Sequence, residues 1–427
     1  MNRPPSGSSP TIAVVGSGPS GCYTAQFLRK LWPTSEIAVF DALPAPYGLV
    51  RYGVATDHQG AKAVTCQFDR LFERDRVRFL GNVRIGTDLD FAELVEAFDI
   101  VVLATGLMQD RPLGVRQDPR ARVLGAGILL RGLNGYPDLG RSPELSAPLG
   151  SRIAIVGNGN VAIDALRLLA KDRSALAGSD VDDRVLDLLR PLPVEQIEVI
   201  GRSTASNAKF DLAMLRELGH LSNVDLAIGE TAGDEENPVI GLLRDLAASR
   251  DKARGVETGE EIQVTFHFGQ SPTAVTYADG RAVLETEGTD DASRIRRYEA
   301  DSIITAAGFV AGDDSAPVSW SAPNVWRVGW LRRGARGTIP ENRRDASQIS
   351  ESIGAALREG LLAPGKPGLS AVWSQIAPFV VEFDDWRRLD EHERGLALDS
   401  RCRRKVTDLD EMVGVAVGSG RPALQST

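Results

Sequence analysis

Residues 11–21 read Thr11-Ile12-Ala13-Val14-Val15-Gly16-Ser17-Gly18-Pro19-Ser20-Gly21, and residues 152–162 read Arg152-Ile153-Ala154-Ile155-Val156-Gly157-Asn158-Gly159-Asn160-Val161-Ala162. Each is a short Val/Ile-rich run that ends in glycine and leads into a helical pattern, from Ser20 to Leu31 and from Val161 to Ala170. That is the sequence form of a βα unit on a parallel sheet. The two units also close alike. Asp99-Ile-Val-Val-Leu-Ala-Thr-Gly106 and Asp301-Ser-Ile-Ile-Thr-Ala-Ala-Gly308 are apolar strands that follow an acid and end in small residues and glycine. The expected fold is α/β, with two Rossmann-like, doubly wound and mainly parallel domains.

In the first loop, Gly16 permits the tight turn, Gly18 lets backbone approach a pyrophosphate, and Gly21 lets the helix pack close to the strand. The phosphates would sit on the helix N-terminus that opens with Pro19 and Ser20, where unpaired N–H groups and the dipole favour anions. The next strand, Glu36-Ile-Ala-Val-Phe-Asp41, ends in an acid placed to accept hydrogen bonds from ribose hydroxyls. The plainer alternative, a loop that merely turns tightly, leaves the ordered strand, helix and acid unexplained. The second loop, Gly157-Asn158-Gly159-Asn160-Val161-Ala162, is followed by Glu198-Val-Ile-Gly201-Arg202-Ser203, where the acid is missing. Arginine there suits a 2′-phosphate, hence NADP(H) rather than NAD(H). The competing reading is a surface arginine that only caps the strand.

The 427 residues allow two or three domains, and 25 % charged with 42 % hydrophobic residues is ordinary for a globular chain. A net charge of −9 opposes bulk attraction to nucleic acid or anionic membrane. No run approaches the roughly 18 apolar residues of a membrane span. Met1 to Pro10 reads as a disordered lead-in without the apolar core of a signal peptide, so a cytoplasmic protein is expected. Cys22, Cys66 and Cys402 stand far apart, and the four histidines are scattered, so no metal site, disulfide framework or dithiol relay is read. Lys171–Gln196 suggests surface helices, Gly229–Gly259 a charged and turn-rich stretch, Asp345–Leu361 a helix, and Asp384–Asp410 a polar tail of mixed charge.

Further segments carry a family likeness: Pro46-Tyr-Gly-Leu-Val-Arg-Tyr-Gly-Val-Ala55 with Asp57-His58, Phe79-Leu-Gly-Asn-Val83, Val328-Gly-Trp-Leu-Arg-Arg-Gly334 and Asp385-Trp386. Together with the two glycine loops they make the chain resemble the adrenodoxin reductase-type ferredoxin–NADP⁺ reductases of mitochondria and actinobacteria. The likeness covers essentially the whole chain and is weakest from Gly229 to Gly259. It implies an FAD domain from residues 11–108 and 326–427, with a NAD(P) domain, 109–325, inserted. It implies hydride transfer from NAD(P)H to FAD, then single-electron transfer to a ferredoxin-like iron–sulfur protein, with a cytochrome P450 as a candidate further acceptor. It puts Gly48, Leu49, Val50, Gly106, Trp330, Gly337 and Ile339 at the FAD site. His58 and Glu217 match a histidine and a glutamate near the nicotinamide, where they orient the ring or a water chain. A repurposed flavoenzyme acting directly on a small molecule is the alternative.

Three departures motivate that alternative. The family carries a second arginine at Ser203, a glutamate at Met214 and a glycine at Pro340. The first two touch the corner that selects NADP, and losing one charged phosphate contact typically costs about 1.5–3 kcal/mol. Proline at 340 removes a backbone donor and fixes φ in a loop facing the flavin or the nicotinamide. Arg332, Arg333, Arg336, Arg343 and Arg344, with Arg51, suggest a basic docking patch for an acidic partner. The alternative is that these arginines hold the FAD pyrophosphate or pair with Glu341 and Asp345. Trp320, Trp326 and Trp330 read as packing rather than an electron path.

Overall fold

The computed structural model describes residues 9–229, 237–253, 261–313 and 315–418. The lead-in expected at residues 1–10 lies, up to residue 8, outside the described residues, as does much of the Gly229–Gly259 stretch, whose described part contains the Pro238–Ala253 helix. The chain forms two compact units, one of residues 1–109 and 309–427, the other of residues 110–308. Residues 309–325, expected with the inserted domain, group with the first unit. Ser315 Oγ donates to the Gly106 carbonyl at 3.1 Å and the Ala316 N–H to Thr105 Oγ1 at 2.9 Å.

The first unit is built on a parallel sheet whose strands lie in the order Val325–Arg327, Ile100–Leu103, Ile12–Val15, Ile37–Phe40, Val77–Leu80. Residues 12–15, 37–40 and 100–103 are buried throughout, as a sheet covered on both faces requires. The second unit has the order Val123–Gly125, Ser302–Thr305, Arg152–Val156, Gln196–Gly201, Ile262–Phe268, Val224–Ile228. An antiparallel meander, Gln270–Ala278, Arg281–Gly288 and Ile295–Ala300, precedes its closing strand.

The duplication read in the sequence holds in register. Val15 pairs with Phe40 and with Leu103; Val156 pairs with Ile200 and with Thr305. The acid before each closing strand pins the start of the first strand. Asp99 Oδ2 accepts the Thr11 N–H at 2.8 Å, and Asp301 Oδ2 accepts the Arg152 N–H at 2.9 Å. No helix among the described residues is long and apolar enough to cross a membrane.

Two elements differ from their sequence expectation. The helix expected at Asp345–Leu361 runs Ile339–Arg358, because a capping box of Thr338 and Glu341 starts it early. Pro340 falls in its first turn, where a missing N–H breaks no ladder bond. The mixed-charge tail contains the helix Phe383–Gly395, which buries Phe383, Trp386, Leu389 and Glu393. Those positions recur at helical spacing, so one face packs while the charges stay outside.

Candidate functional site

Gly16, Gly157 and Gly21 meet the steric demands of their positions in the two loops. Gly16 (φ 105°) and Gly157 (φ 139°) adopt backbone that side chains rarely allow. A Cβ on Gly16 would stand 2.5 Å from the Ala104 carbonyl oxygen, and one on Gly157 would overlap that of Ala306, the equivalent residue of the other closing strand. A Cβ on Gly21 would overlap the Gly16 carbonyl, whereas Ala162 fits its methyl in full burial. Gly18 and Gly159 are different: a Cβ on either would meet nothing within 4 Å. Each precedes a helix, Pro19–Leu31 or Asn160–Ala170, with Pro19 at the first position and Val161 beside Asn160 in the first turn of the second. Each loop thus leaves an open cradle over first-turn N–H groups.

Asp41 ends its strand as expected, and its carboxylate also holds the chain. Oδ2 accepts the Ser17 N–H at 2.9 Å and the Ser17 hydroxyl at 2.5 Å; Oδ1 accepts the Leu43 N–H at 3.0 Å. Burial pushes this carboxyl above the usual range, against the downward pull of those hydrogen bonds. A carboxylate has about four acceptor positions, so Oδ1 keeps capacity for a ribose hydroxyl. In the second unit, register puts Gly201 at the position of Asp41 and Asn158 at that of Ser17. A Cβ on Gly201 would stand 2.6 Å from Asn158 Nδ2, and this buried Nδ2 meets no acceptor among the described residues. Arg202 is exposed just beyond, and Ser203 is half-buried.

The first unit brings some of its remaining candidates to the first loop. Tyr47, at φ 82°, and Gly48, at φ 49°, turn the chain so that a Cβ on Gly48 would lie 3.2 Å from Gly18 Cα. The turn is held from several sides. The Tyr47 N–H donates to the Ser17 carbonyl at 3.2 Å, its hydroxyl donates to Asp69, and its ring stacks on Phe68 and meets Trp386 edge-on. Leu49 and Val50 open the short helix Leu49–Tyr52 that follows. Gly329 lies against Ser20, and Trp330 beyond it stacks on Phe309 with centroids 5.6 Å apart. The Trp330 indole N–H is buried without an acceptor among the described residues. Gly106 (φ 71°) follows the closing strand, Gly337 (φ 84°) packs on Glu341, and Ile339 starts the long helix. An open cradle, a free acceptor on Asp41 and an unsatisfied indole N–H fit a bound dinucleotide such as FAD.

His58 is half-buried ahead of the short helix Gln59–Lys62 in the first unit. Glu217 lies in the second unit, where the fully buried Arg167 reaches its Oε2 at 3.3 Å and Asp164 at 3.0 Å. Arg167 carries no sequence signal of function, since an arginine in a helix reads as surface. Met214 is half-buried one turn before Glu217.

The arginine patch dissolves in part. Arg51 is buried and paired to the fully buried Glu393 at 2.6 Å, with the Tyr52 and Trp386 rings against its guanidinium, so it belongs to no surface. Burial opposes its charge, but Glu393 outweighs that and raises its pKa. Arg332 and Arg333 both pair with Asp345, and Arg344 with Glu341 at 3.4 Å. Arg343 lies over the Tyr23 ring, and Arg336 is exposed. Trp320 stacks on Phe91 at 4.7 Å, and Trp326 is half-buried in its strand. Among the described residues no cluster of His, Cys, Asp and Glu could hold a metal ion.

No protein-family model matches the chain. It is 39 % identical to cindoxin reductase of Citrobacter braakii over 95 % of its length and 91 % of that protein. It is 30 % identical to NADPH-ferredoxin reductase FprA of Mycobacterium leprae, over 95 % of its length and 98 % of that protein. Among solved structures, Mycobacterium tuberculosis FprA in complex with NADPH superposes with a TM-score of 0.83 at 28 % identity, over 96 % of this chain and all of that one.

Proposed function

Because the chain belongs to the adrenodoxin reductase-type family of ferredoxin–NADP⁺ reductases, we propose that its first unit holds FAD and its second NADP(H), and that it passes electrons from NADPH to a small iron–sulfur protein. The observation that carries this reading is the pair of matched glycine cradles, open over Gly18 and Gly159. Bound FAD supplies a ring that takes two electrons as hydride and releases them one at a time.

The chain's own work is binding and orientation. Gly16, Gly18 and Pro19 shape the turn that brings the Ser20 and Gly21 N–H groups to the FAD pyrophosphate, and Asp41 Oδ1 accepts from its ribose. Gly48, Leu49 and Val50 are assigned to one side of the ring system, and Gly106, Trp330, Gly337 and Ile339 to its surroundings. Residues Gly157 to Ala162 take the nicotinamide dinucleotide, with Arg202 and Ser203 on its 2′-phosphate. His58 and Glu217 orient the nicotinamide or an ordered water; hydride transfer needs no general base from either. Arg167 fixes the Glu217 carboxylate for that task. None of Cys22, Cys66 and Cys402 forms a disulfide, which suits a reducing compartment and supports a cytoplasmic location.

Stopped-flow absorbance of the purified protein, mixed separately with NADPH and NADH, tests the reading. Fast, saturable bleaching with NADPH, and cytochrome c reduction that depends on added iron–sulfur protein, are expected. A yellow protein that neither nucleotide bleaches would overturn it.

A further inference from the structure

Lys209 comes from a segment without recognisable motif, yet the fold brings it to the second glycine loop. Its N–H donates to the Asn158 carbonyl at 2.9 Å, and it forms an isolated parallel bridge with Gly159. Parallel bridge partners stand about 4.8 Å apart and send their Cβ atoms to the same face. On Gly159 that direction is open, since a Cβ there meets nothing within 4 Å. The Lys209 side chain therefore leaves toward the open cradle.

The placement is held from a second point. Asn160 Oδ1 accepts the Asp211 N–H at 2.7 Å, so residues 209 and 211 are both tied to the loop. Lys209 is exposed and makes no side-chain hydrogen bond or ion pair among the described residues. Asp211, the neighbouring acid, is occupied in capping the Leu212–Arg216 helix, accepting the Ala213 N–H at 2.9 Å. A lysine whose cation has no protein partner among the described residues thus has its backbone one strand spacing from the glycine that a pyrophosphate would approach.

We propose that Lys209 binds the pyrophosphate of the nicotinamide dinucleotide and supplies the second cation of a clamp whose first is Arg202. This rests on the second unit being the NADP(H) domain. It divides the labour between the two cations. Arg202, beyond the strand end, reads the 2′-phosphate that only NADP carries. Lys209 contacts the group that NADP and NAD share, and recovers affinity that serine at 203 gives away.

Calorimetric titration of the oxidised, full-length flavoprotein with NADP⁺, NAD⁺ and 2′-AMP tests this without turnover. Lys209→Ala is expected to weaken NADP⁺ and NAD⁺ by the same factor, about tenfold for a lost charged contact. Binding of 2′-AMP, which lacks the pyrophosphate, stays unchanged, and Lys209→Arg restores both dinucleotides. Arg202→Ala weakens NADP⁺ and 2′-AMP and leaves NAD⁺ as it was. A Lys209→Ala loss confined to NADP⁺, or no loss with either dinucleotide, overturns the proposal. A wild-type protein that binds none of the three would instead overturn the assignment of the second unit.

Discussion

A methyl group at Gly16 would press on the Ala104 carbonyl at 2.5 Å in a backbone of φ 105°, whereas one at Gly18 would touch nothing. Positive φ alone costs a side chain about 1–3 kcal/mol. Gly16→Ala should therefore yield little folded protein. Gly18→Ala should fold and, stripped of flavin, melt with the wild type, yet retain less FAD by absorbance ratio. Equal melting losses for the two variants would sink the idea of an open cradle. Such glycine roles were legible in the sequence because a tight turn is a local affair of three or four residues. That Asp41 also fastens Ser17 was not legible, since an acid at a strand end looks the same whatever it accepts. Arg51 misled for a related reason: its partner Glu393 lies more than three hundred residues away.

At the scale of elements, the Phe383–Gly395 helix bears on the first loop through two contacts. Trp386 meets the Tyr47 ring, and Glu393 grips Arg51 in the short helix that carries Leu49 and Val50. Removing one partner of a buried pair strands the other charge, so Glu393→Ala should cost about 3–5 kcal/mol in urea unfolding. The double variant Arg51→Met with Glu393→Met should recover part of that loss, because the Arg51 charge is no longer stranded while the Val406 N–H and Arg403 still lose their Glu393 partner. Recovery near zero would show that the pair's hydrogen bonds matter more than its desolvation.

The start of the Ile339–Arg358 helix offers a second test. The Thr338 hydroxyl and N–H hold the Glu341 carboxyl down to about 2, from an ordinary 4.5. A depressed acid stabilises fully above its ordinary value, and that contribution fades as pH falls toward 2. Thr338→Ala should return Glu341 toward 4.5 in a carbon-13 NMR titration and lower stability by roughly 1 kcal/mol. Both helices were read imperfectly, one placed too late and one taken for a tail. Capping chemistry and a stripe of four buried residues are faint beside so many surface charges.

For the whole molecule, the tandem α/β plan was legible because the repeated strand–glycine–helix pattern states it twice. The unit boundary was not, since Ser315 and Ala316 bond to Gly106 and Thr105 without any periodic signal. Residues 110–308 are contiguous, and Asp110 caps its own unit by accepting the Gly127 and Ile128 N–H groups at 2.7 and 2.9 Å. Produced alone, this segment should give a colourless protein with one cooperative thermal transition; a broad, non-cooperative melt would count against its independence. The other unit has no such freedom, because the Val325–Arg327 strand must pair beside Ile100–Leu103. On the ribosome, the edge of residues 100–103 emerges long before the strand that covers it. At roughly 5–20 residues per second, the nascent chain waits on the order of tens of seconds with that edge bare. Meanwhile the intervening segment is made whole and free to collapse. Flavin loading must therefore be a late event in the birth of each molecule, and a stalled or prematurely terminated chain would leave an uncovered strand for the chaperones.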